Sequence, residues 1–169
     1  LVSPFVVADY PDRAERGARL LVYRSPPLGE DLEIAGHPIA RLFIRADASD
    51  GALVAYLEDE SPDGRVRYVT EGQLRLSQHP LDDDLRFESP IPRRSFRRSN
   101  ARDIEPGAIT LLVFDLLPTA YRFARGSRIR IAFASCDADH FAPIPNAATH
   151  YLVERSPEHA SLIELPVRE

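Results

Sequence analysis

The sequence predicts an all-β fold, a jelly-roll sandwich of two packed sheets, and three observations favour it. Fifteen prolines and eight glycines separate many short apolar runs, as in strands joined by turns. The runs alternate apolar and polar side chains, which a half-buried strand requires, and no convincing amphipathic helix exceeds about two turns. About eight to ten strands are expected, at the spacing typical of sandwiches. Because 169 residues is the size of one domain, we expect residues 1–169 to form a single core.

The N-terminal third contains two strand signals. A first strand is expected within residues 18–24. A longer one is expected over residues 40–46, where Ala40, Leu42 and Ile44 fall on one face and arginines fall on the other. Every second side chain of a strand shares a face, so this apolar set predicts which side packs on the core.

A β-hairpin is predicted next. Leu53, Ala55 and Leu57 repeat the alternating pattern, and residues 65–69 form the following run. Between them, residues 61–64 read Ser-Pro-Asp-Gly. Proline pre-sets φ and glycine accepts the left-handed conformation, so the two runs should pair as a hairpin.

The middle of the chain is irregular. Leu74 and Leu76 continue the alternation, but residues 77–105 hold several prolines and no strand pattern. Loops of this length are uncommon in compact domains and usually serve a function or form an interface, so we expect this one on the surface. A strand follows over residues 109–117 and is apolar on both faces, which requires a second layer outside the sandwich core.

Further signals lie towards the C-terminus. Ile129, Ile131 and Phe133 are expected to face inward, with arginines between them facing outward. A last strand is indicated near residues 162–165, and residues 146–155 are compatible with a short helix. The succession of short strands and turns is typical of an antiparallel sandwich.

Composition argues against several classes of protein. Hydrophobic residues at 44% and charged residues at 28% are the balance of an ordinary soluble globular domain. A net charge of −5 argues against a nucleic-acid partner, and no apolar run approaches the roughly 20 residues of a membrane helix. Cys136 is the sole cysteine, so an internal disulfide is impossible. We expect its side chain to behave as a small apolar group whose thiol is buried or half-buried.

The start of the chain bears on its origin. It begins with Leu1, has no leader pattern and contains no methionine, so we expect a piece excised from a larger polypeptide. Single-cysteine usage fits both the cytoplasm and secretion, and the cytoplasm is slightly favoured.

The irregular stretch carries a cluster of charges. Its arginines are Arg93, Arg94, Arg97, Arg98 and Arg102, and the acids around them are Asp82, Asp83, Asp84, Glu88, Asp103 and Glu105. Because both signs are interspersed, a solvated and internally paired loop is expected rather than a phosphate-binding groove.

No catalytic arrangement is evident. A serine hydrolase needs a serine on a G-x-S-x-G turn with a histidine and an acid; that motif is absent, and Ser127 is predicted as a turn residue. Asp137, Asp139 and His140 form the densest group of possible metal ligands. Capping of a turn is the favoured interpretation, since the glycine and distal glutamate of a calcium loop are missing. We therefore assign no catalytic, cofactor-binding or metal-binding residue and expect no cofactor.

Several segments occur in an order that resembles a known family. They are residues 21–28, 32–36, 40–46, 57–59, 62–64 and 70–75 in the first half, and 105–107, 114–123, 126–131 and 137–141 in the second. Together they resemble the C-terminal non-catalytic domain of X-Pro dipeptidyl-peptidases and cocaine-esterase-like acyl hydrolases. The family usually has histidine after the glycine where this chain has Ser127.

The resemblance implies a jelly roll that packs against an upstream α/β-hydrolase domain of the same polypeptide. That domain would supply the catalytic serine, aspartate and histidine, none of which maps onto this chain. The implied role is that of an accessory domain, which helps to shape the pocket of an esterase or dipeptidyl-peptidase. An excised domain of this kind should expose an apolar patch and self-associate through it.

Two alternatives stay open from the sequence. One is a carbohydrate-binding sandwich, which would display aromatic side chains on a concave face. The other is a small metal-dependent enzyme built on Asp137, Asp139 and His140.

Overall fold

The computed structural model describes residues 12–82, 89–137, 144, 146–148 and 150–168. Within these residues the chain forms ten strands and one single-turn α-helix, so the predicted all-β sandwich is confirmed. The elements are α1 Ala14–Gly17, β1 Leu21–Arg24, β2 Leu32–Gly36, β3 Ile39–Ala46, β4 Ala52–Glu60, β5 Val66–Arg75, β6 Thr110–Asp115, β7 Thr119–Phe123, β8 Arg128–Ala134, β9 Tyr151–Val153 and β10 Leu162–Glu164. Single 3₁₀ turns lie at Leu76–Gln78, Arg98–Asn100 and Pro157–His159. In the described chain no helix has the length and apolar character needed to cross a bilayer.

Sheet I contains four antiparallel strands in the order β1-β8-β4-β5. The predicted hairpin joins β4 to β5, and the Ser61 amide donates to the Arg65 carbonyl at 2.9 Å. Gly64 has φ +87°, the left-handed conformation that glycine adopts without steric cost. The turn prediction is confirmed.

Sheet II has the order β10-β3-β6, and β9 pairs with the end of β3. β2 and β7 form a separate antiparallel pair. The short helix considered for residues 146–155 is wrong, because Tyr151–Val153 is a strand that pairs with Ile44–Ala46. The aromatic and β-branched side chains there fit a pleated edge, and the exposed edge of β3 supplies the backbone partners.

The core lies between the two sheets. From sheet II, Ala40, Leu42 and Ile44 are fully buried, as the alternation predicted, and from sheet I so are Leu53, Ala55 and Leu57. Burial of each leucine or isoleucine stabilises the fold by roughly 1.5–3 kcal/mol before entropy is counted. The inward side chains of β3 and β4 therefore fix the relative position of the sheets.

The long irregular stretch lies on the surface, as predicted, in its described parts, residues 77–82 and 89–105, apart from Ser77 and Ile104, which are buried. Arg94 fastens it to the sandwich. The Arg94 Nε donates to the Gln78 carbonyl at 2.6 Å, and Nη2 donates to the carbonyls of His79 and Val113. Burial lowers the pKa of Arg94, while the charges of Asp115 and Asp82 oppose that fall. The carbonyls accept the hydrogen bonds of the buried guanidinium group.

Candidate docking surface

The residues considered for catalysis lie apart. Ser127 is buried in the turn between β7 and β8, where its amide donates to the Ala124 carbonyl at 3.0 Å and its carbonyl accepts from Leu28. Its prediction as a turn residue is confirmed. A serine held this way has its backbone committed to the turn and lacks the exposed strand-to-helix elbow of a hydrolase nucleophile.

The described histidine rings have local partners. His37 Nδ1 lies 3.0 Å from the Leu116 carbonyl, His79 Nδ1 lies 3.0 Å from the Leu76 carbonyl, and His150 Nδ1 lies 2.7 Å from Asp47. His159 packs edge-on against Phe43. In the part of the chain that the structure describes, these contacts bring no serine, histidine and carboxylate together.

The possible metal ligands are only partly described. Asp139 and His140 lie outside the described residues. Asp137 accepts a hydrogen bond from the Tyr56 hydroxyl at 2.8 Å, so its carboxylate ties the end of β8 to β4. Among the described side chains, no group of three or more could hold a metal ion. Cys136 is exposed; the expected burial of its thiol was wrong because β8 ends two residues before it.

The basic cluster differs from its prediction in one respect. Arg94 and Arg102 donate to backbone carbonyls, whereas pairing with the neighbouring acids was expected. Asp83, Asp84 and Glu88 lie outside the described residues. The guanidinium groups of these two arginines therefore organise the loop backbone.

The outward side of sheet II gathers several apolar side chains, and we call it the open face (Phe43, Leu111, Leu152, Leu162). The strand register aligns Phe43 with Leu111 and places Leu152 and Leu162 on the same side of β3. Leu111, Leu162 and Leu152 have exposed fractions of 42%, 44% and 64%. Apolar groups gathered on one face mark a contact surface far better than scattered ones do.

Two ion pairs lie on the open face. Arg41 binds Glu164 at 2.5 Å, and Arg45 binds Glu154 at 2.6 Å. Each ion pair joins β3 to a neighbouring segment, and the leucines beside the pairs stay exposed. Arg41 stands opposite Leu162 and Arg45 stands opposite Leu152 in the register, so charged and apolar side chains share this face. Contacts between domains of one chain are commonly polar to this degree. Of the second layer predicted over residues 109–117, the described part of this chain covers Val113, whose exposed fraction is 6%, and leaves Leu111 uncovered.

The outward side of sheet I, the covered face (Val54, Tyr56, Glu58, Arg130), is built differently. Residues 12–20, which include α1, lie over it, and Arg13 Nε donates to Glu58 Oε1 at 2.5 Å. Arg130 Nη1 donates to Glu58 Oε2 at 2.7 Å. The guanidinium carbon of Arg13 also lies 4.3 Å from the ring centre of Tyr56, within range of a cation–π contact.

Burial dominates the chemistry of the covered face. Glu58 and Arg130 have exposed fractions of 0% and 2%. Burial raises the pKa of Glu58, while the hydrogen bond from Arg13 and the charge of Arg130 oppose that rise. A Cβ on Gly17 would overlap the Arg130 guanidinium, so glycine lets α1 lie directly on the ion pair. The network fastens residues 12–20 to the sheet.

Sequence reasoning missed the covered face. Arg130 was expected to point outward, and it does point away from the core, but the N-terminal segment buries it. The available signal was cross-strand: Glu58 and Arg130 stand directly opposite each other in the register. Nothing local identifies Arg13, which is 45 positions from Glu58.

Known proteins of similar sequence match most of this chain. Residues 5–164 match the family model of the X-Pro dipeptidyl-peptidase C-terminal non-catalytic domain. A protein of Mycobacterium bovis named as a serine esterase is 49% identical over 94% of this chain and 25% of its own length. The cocaine esterase of a Rhodococcus species is 29% identical over 88% of this chain and 25% of its own. The chain thus spans about a quarter of the length of these relatives.

A solved structure shares the fold. A CocE/NonD family hydrolase from Staphylococcus aureus aligns with a TM-score of 0.73 at 16% identity, over 93% of this chain and 32% of that one. The family resemblance, which was predicted from the order in which short segments occur along the chain, is confirmed. The chain belongs to the X-Pro dipeptidyl-peptidase C-terminal non-catalytic domain family.

Proposed function

We propose that this chain is the accessory domain of a serine hydrolase that acts on acyl esters or on X-Pro amide bonds. It packs on an α/β-hydrolase domain of the same polypeptide and helps to shape the substrate pocket. Residues 1–169 act in this proposal as one C-terminal unit, and the catalytic serine, histidine and acid belong to the hydrolase domain.

The open face is the observation that carries the proposal. Its leucines are exposed in this chain, although exposed apolar side chains clustered on one sheet face are unfavourable in water. Contacts between domains of one chain typically bury about 600–1,500 Å², a size that one face of a short-stranded sheet supplies. Docking there removes the leucines from water, and the ion pairs that share the face supply the polar contacts of the interface.

A further large apolar side chain is exposed in the irregular stretch. Phe96 has an exposed fraction of 68% and φ +52°. Left-handed backbone is costly for an aromatic residue, and such strain clusters at functional sites. Phe96 is the one exposed large aromatic side chain among the residues described, so the described surface offers no group of aromatic rings of the kind that a carbohydrate-binding face displays.

The same surface supports the proposal that the isolated chain self-associates. Without a hydrolase domain, two copies of this chain cover their leucines against each other. The isolated chain therefore forms weak dimers, which a docked hydrolase domain prevents.

Hydroxyl-radical footprinting tests the docking. Leu111, Leu152 and Leu162 should be oxidised in the 169-residue chain and protected in a longer polypeptide that carries the hydrolase domain ahead of it. Leu21, which is similarly exposed on the edge of sheet I, is the control and should react equally in both. Equal oxidation of the open-face leucines in the two proteins would overturn the proposal.

A short-chain p-nitrophenyl ester tests the division of labour. The longer polypeptide should turn it over, and the 169-residue chain should not. Turnover that stays with this chain through purification would contradict the accessory role.

A further inference from the structure

The two long sides of the sandwich are closed to different extents. On one side, the Leu117 amide donates to the Glu71 carbonyl at 2.8 Å, and the Thr70 hydroxyl donates to the Leu117 carbonyl at 2.8 Å. Gly72 makes this approach possible, because a Cβ there would collide with the backbone of Asp115. On the other side, no described hydrogen bond joins β1 to β9 or β10.

A cavity opens on that second side, between the sheets. Its volume is about 350 Å³, more than twice the roughly 150 Å³ of an apolar cavity that holds benzene. It also falls within the range of about 300–1,000 Å³ that is usual for ligand pockets. Its walls include Tyr23, Leu42, Ile131, Phe133, Val153 and Ile163.

The walls are apolar because they are the inward faces of the strands. Leu42, Ile131 and Phe133 belong to the hydrophobic core itself, so the cavity is a continuation of the core that side chains do not fill. Unfilled apolar space forfeits dispersion contacts, and an apolar ligand restores them. The interior therefore selects a hydrocarbon chain or ring.

The mouth of the cavity is cationic. The guanidinium carbon of Arg155 lies 5.5 Å from the ring centre of Tyr23, and both residues line the opening. Arg24, its neighbour at the rim, binds Glu60 at 2.8 Å. Among the described residues, Arg155 has the Tyr23 ring as its partner and no carboxylate.

We propose that this cavity binds an amphiphilic carboxylate, with the alkyl chain between the sheets and the carboxylate on Arg155. Guanidinium groups bind carboxylates through two parallel hydrogen bonds, and the ring of Tyr23 holds the Arg155 side chain at the rim. The site uses residues of this chain alone, so it can be tested on the 169-residue chain without a hydrolase domain. Leu162 of the open face lies at its edge.

Decanoate, below the concentration at which it forms micelles, is the probe. Titration followed by two-dimensional NMR should give saturable shifts at the methyl groups of Val153 and Ile163, with a rise in Tm. Arg155→Gln should weaken binding by at least about ten-fold, because it removes a charge-assisted pair. Arg98→Gln, an exposed arginine outside the cavity, is the matched control and should leave affinity unchanged.

Two further comparisons locate and identify the ligand. Val153→Phe fills the cavity and should abolish binding; if that variant does not fold, Ile163→Phe fills it from β10. Acetate, which lacks the chain, should not bind, and 1-decanol, which lacks the charge, should bind more weakly than decanoate. The proposal fails if decanoate does not saturate, if both arginine variants bind alike, if a folded filled variant still binds, or if decanol binds as tightly.

Discussion

The two outward faces of this sandwich are similar in strand pattern and opposite in environment. On sheet I, residues 12–20 cover the face and bury Glu58 between two arginines. On sheet II, Leu111 and Leu162 stand uncovered between surface ion pairs. On both sheets the outward side chains alternate with side chains of the core, yet the chain itself covers one face, and its described part leaves the leucines of the other uncovered.

This difference distinguishes the residues that stabilise the domain from the residues that are available to contact a partner. Charges buried on the covered face must be paired and hydrogen-bonded, so loss of one member leaves the others without compensation. The ion pairs beside the open face remain in water, where such pairs contribute about 0–1 kcal/mol. Substitutions on the covered face should therefore affect folding, and those on the open face should affect association.

The largest effect is expected at Glu58. Glu58→Ala removes the carboxylate that binds both Arg13 and Arg130, and leaves Arg130 with only the more distant Glu60, 3.9 Å from its Nε. The substitution should lower the free energy of unfolding by about 3–5 kcal/mol. Urea denaturation measures the change. Glu164→Ala breaks the exposed pair with Arg41 and is the matched control, with an expected loss of at most about 1 kcal/mol. Equal losses in the two variants would remove the distinction between the faces.

The next effect compares the two sides of a single strand. Leu112 faces the core and is fully buried, while Leu111 belongs to the open face. Leu112→Ala should cost about 2–5 kcal/mol of stability through lost burial and a cavity. Leu111→Ala should cost no more than about 0.5 kcal/mol and should instead weaken self-association in sedimentation equilibrium.

These neighbours control for each other, since both substitutions remove the same atoms from β6. A large stability loss in Leu111→Ala would show that the open face belongs to the folding core. Unchanged association in that variant would show that the copies meet elsewhere.

The sequence predicted well which side chains face the core. Ala40, Leu42 and Ile44 lie in the core because a period of two places them there whatever their neighbours are. The Ser-Pro-Asp-Gly turn and the family resemblance were equally readable, because each depends on local residues in order. β9 was missed because its three residues become a strand only through the edge of β3.

The surroundings of the outward-facing side chains could not be predicted from the alternating pattern. Alternation says which side chains leave the core, but whether they meet water depends on segments distant in sequence. Arg130 is buried because residues 12–20 return over it, and Leu111 is exposed because nothing in the described chain does so. The candidate docking surface therefore required the tertiary structure.

The smallest effect concerns how the covering segment is anchored at its start. Asp12 accepts hydrogen bonds from the amides of Val66 and Ala14, each at 3.0 Å, and so joins the first turn of α1 to β5. Those bonds, first from Val66 and then from Ala14, lower the pKa of Asp12 below 3.8. A carboxyl whose pKa is lower in the folded state stabilises the fold above its unfolded pKa, and this contribution is lost as the pH falls through the folded value.

Asp12→Asn keeps an acceptor oxygen and removes the charge, so it isolates this pH dependence. At about pH 6 the variant should unfold at a slightly lower urea concentration than the parent chain, and the two midpoints should converge as the pH falls below about 4 towards about 2.5. The convergence reflects protonation of Asp12 in the parent, after which both side chains are neutral. A difference in midpoint that stays constant over this range would mean that Asp12 anchors the covering segment through hydrogen-bond geometry and not through its charge.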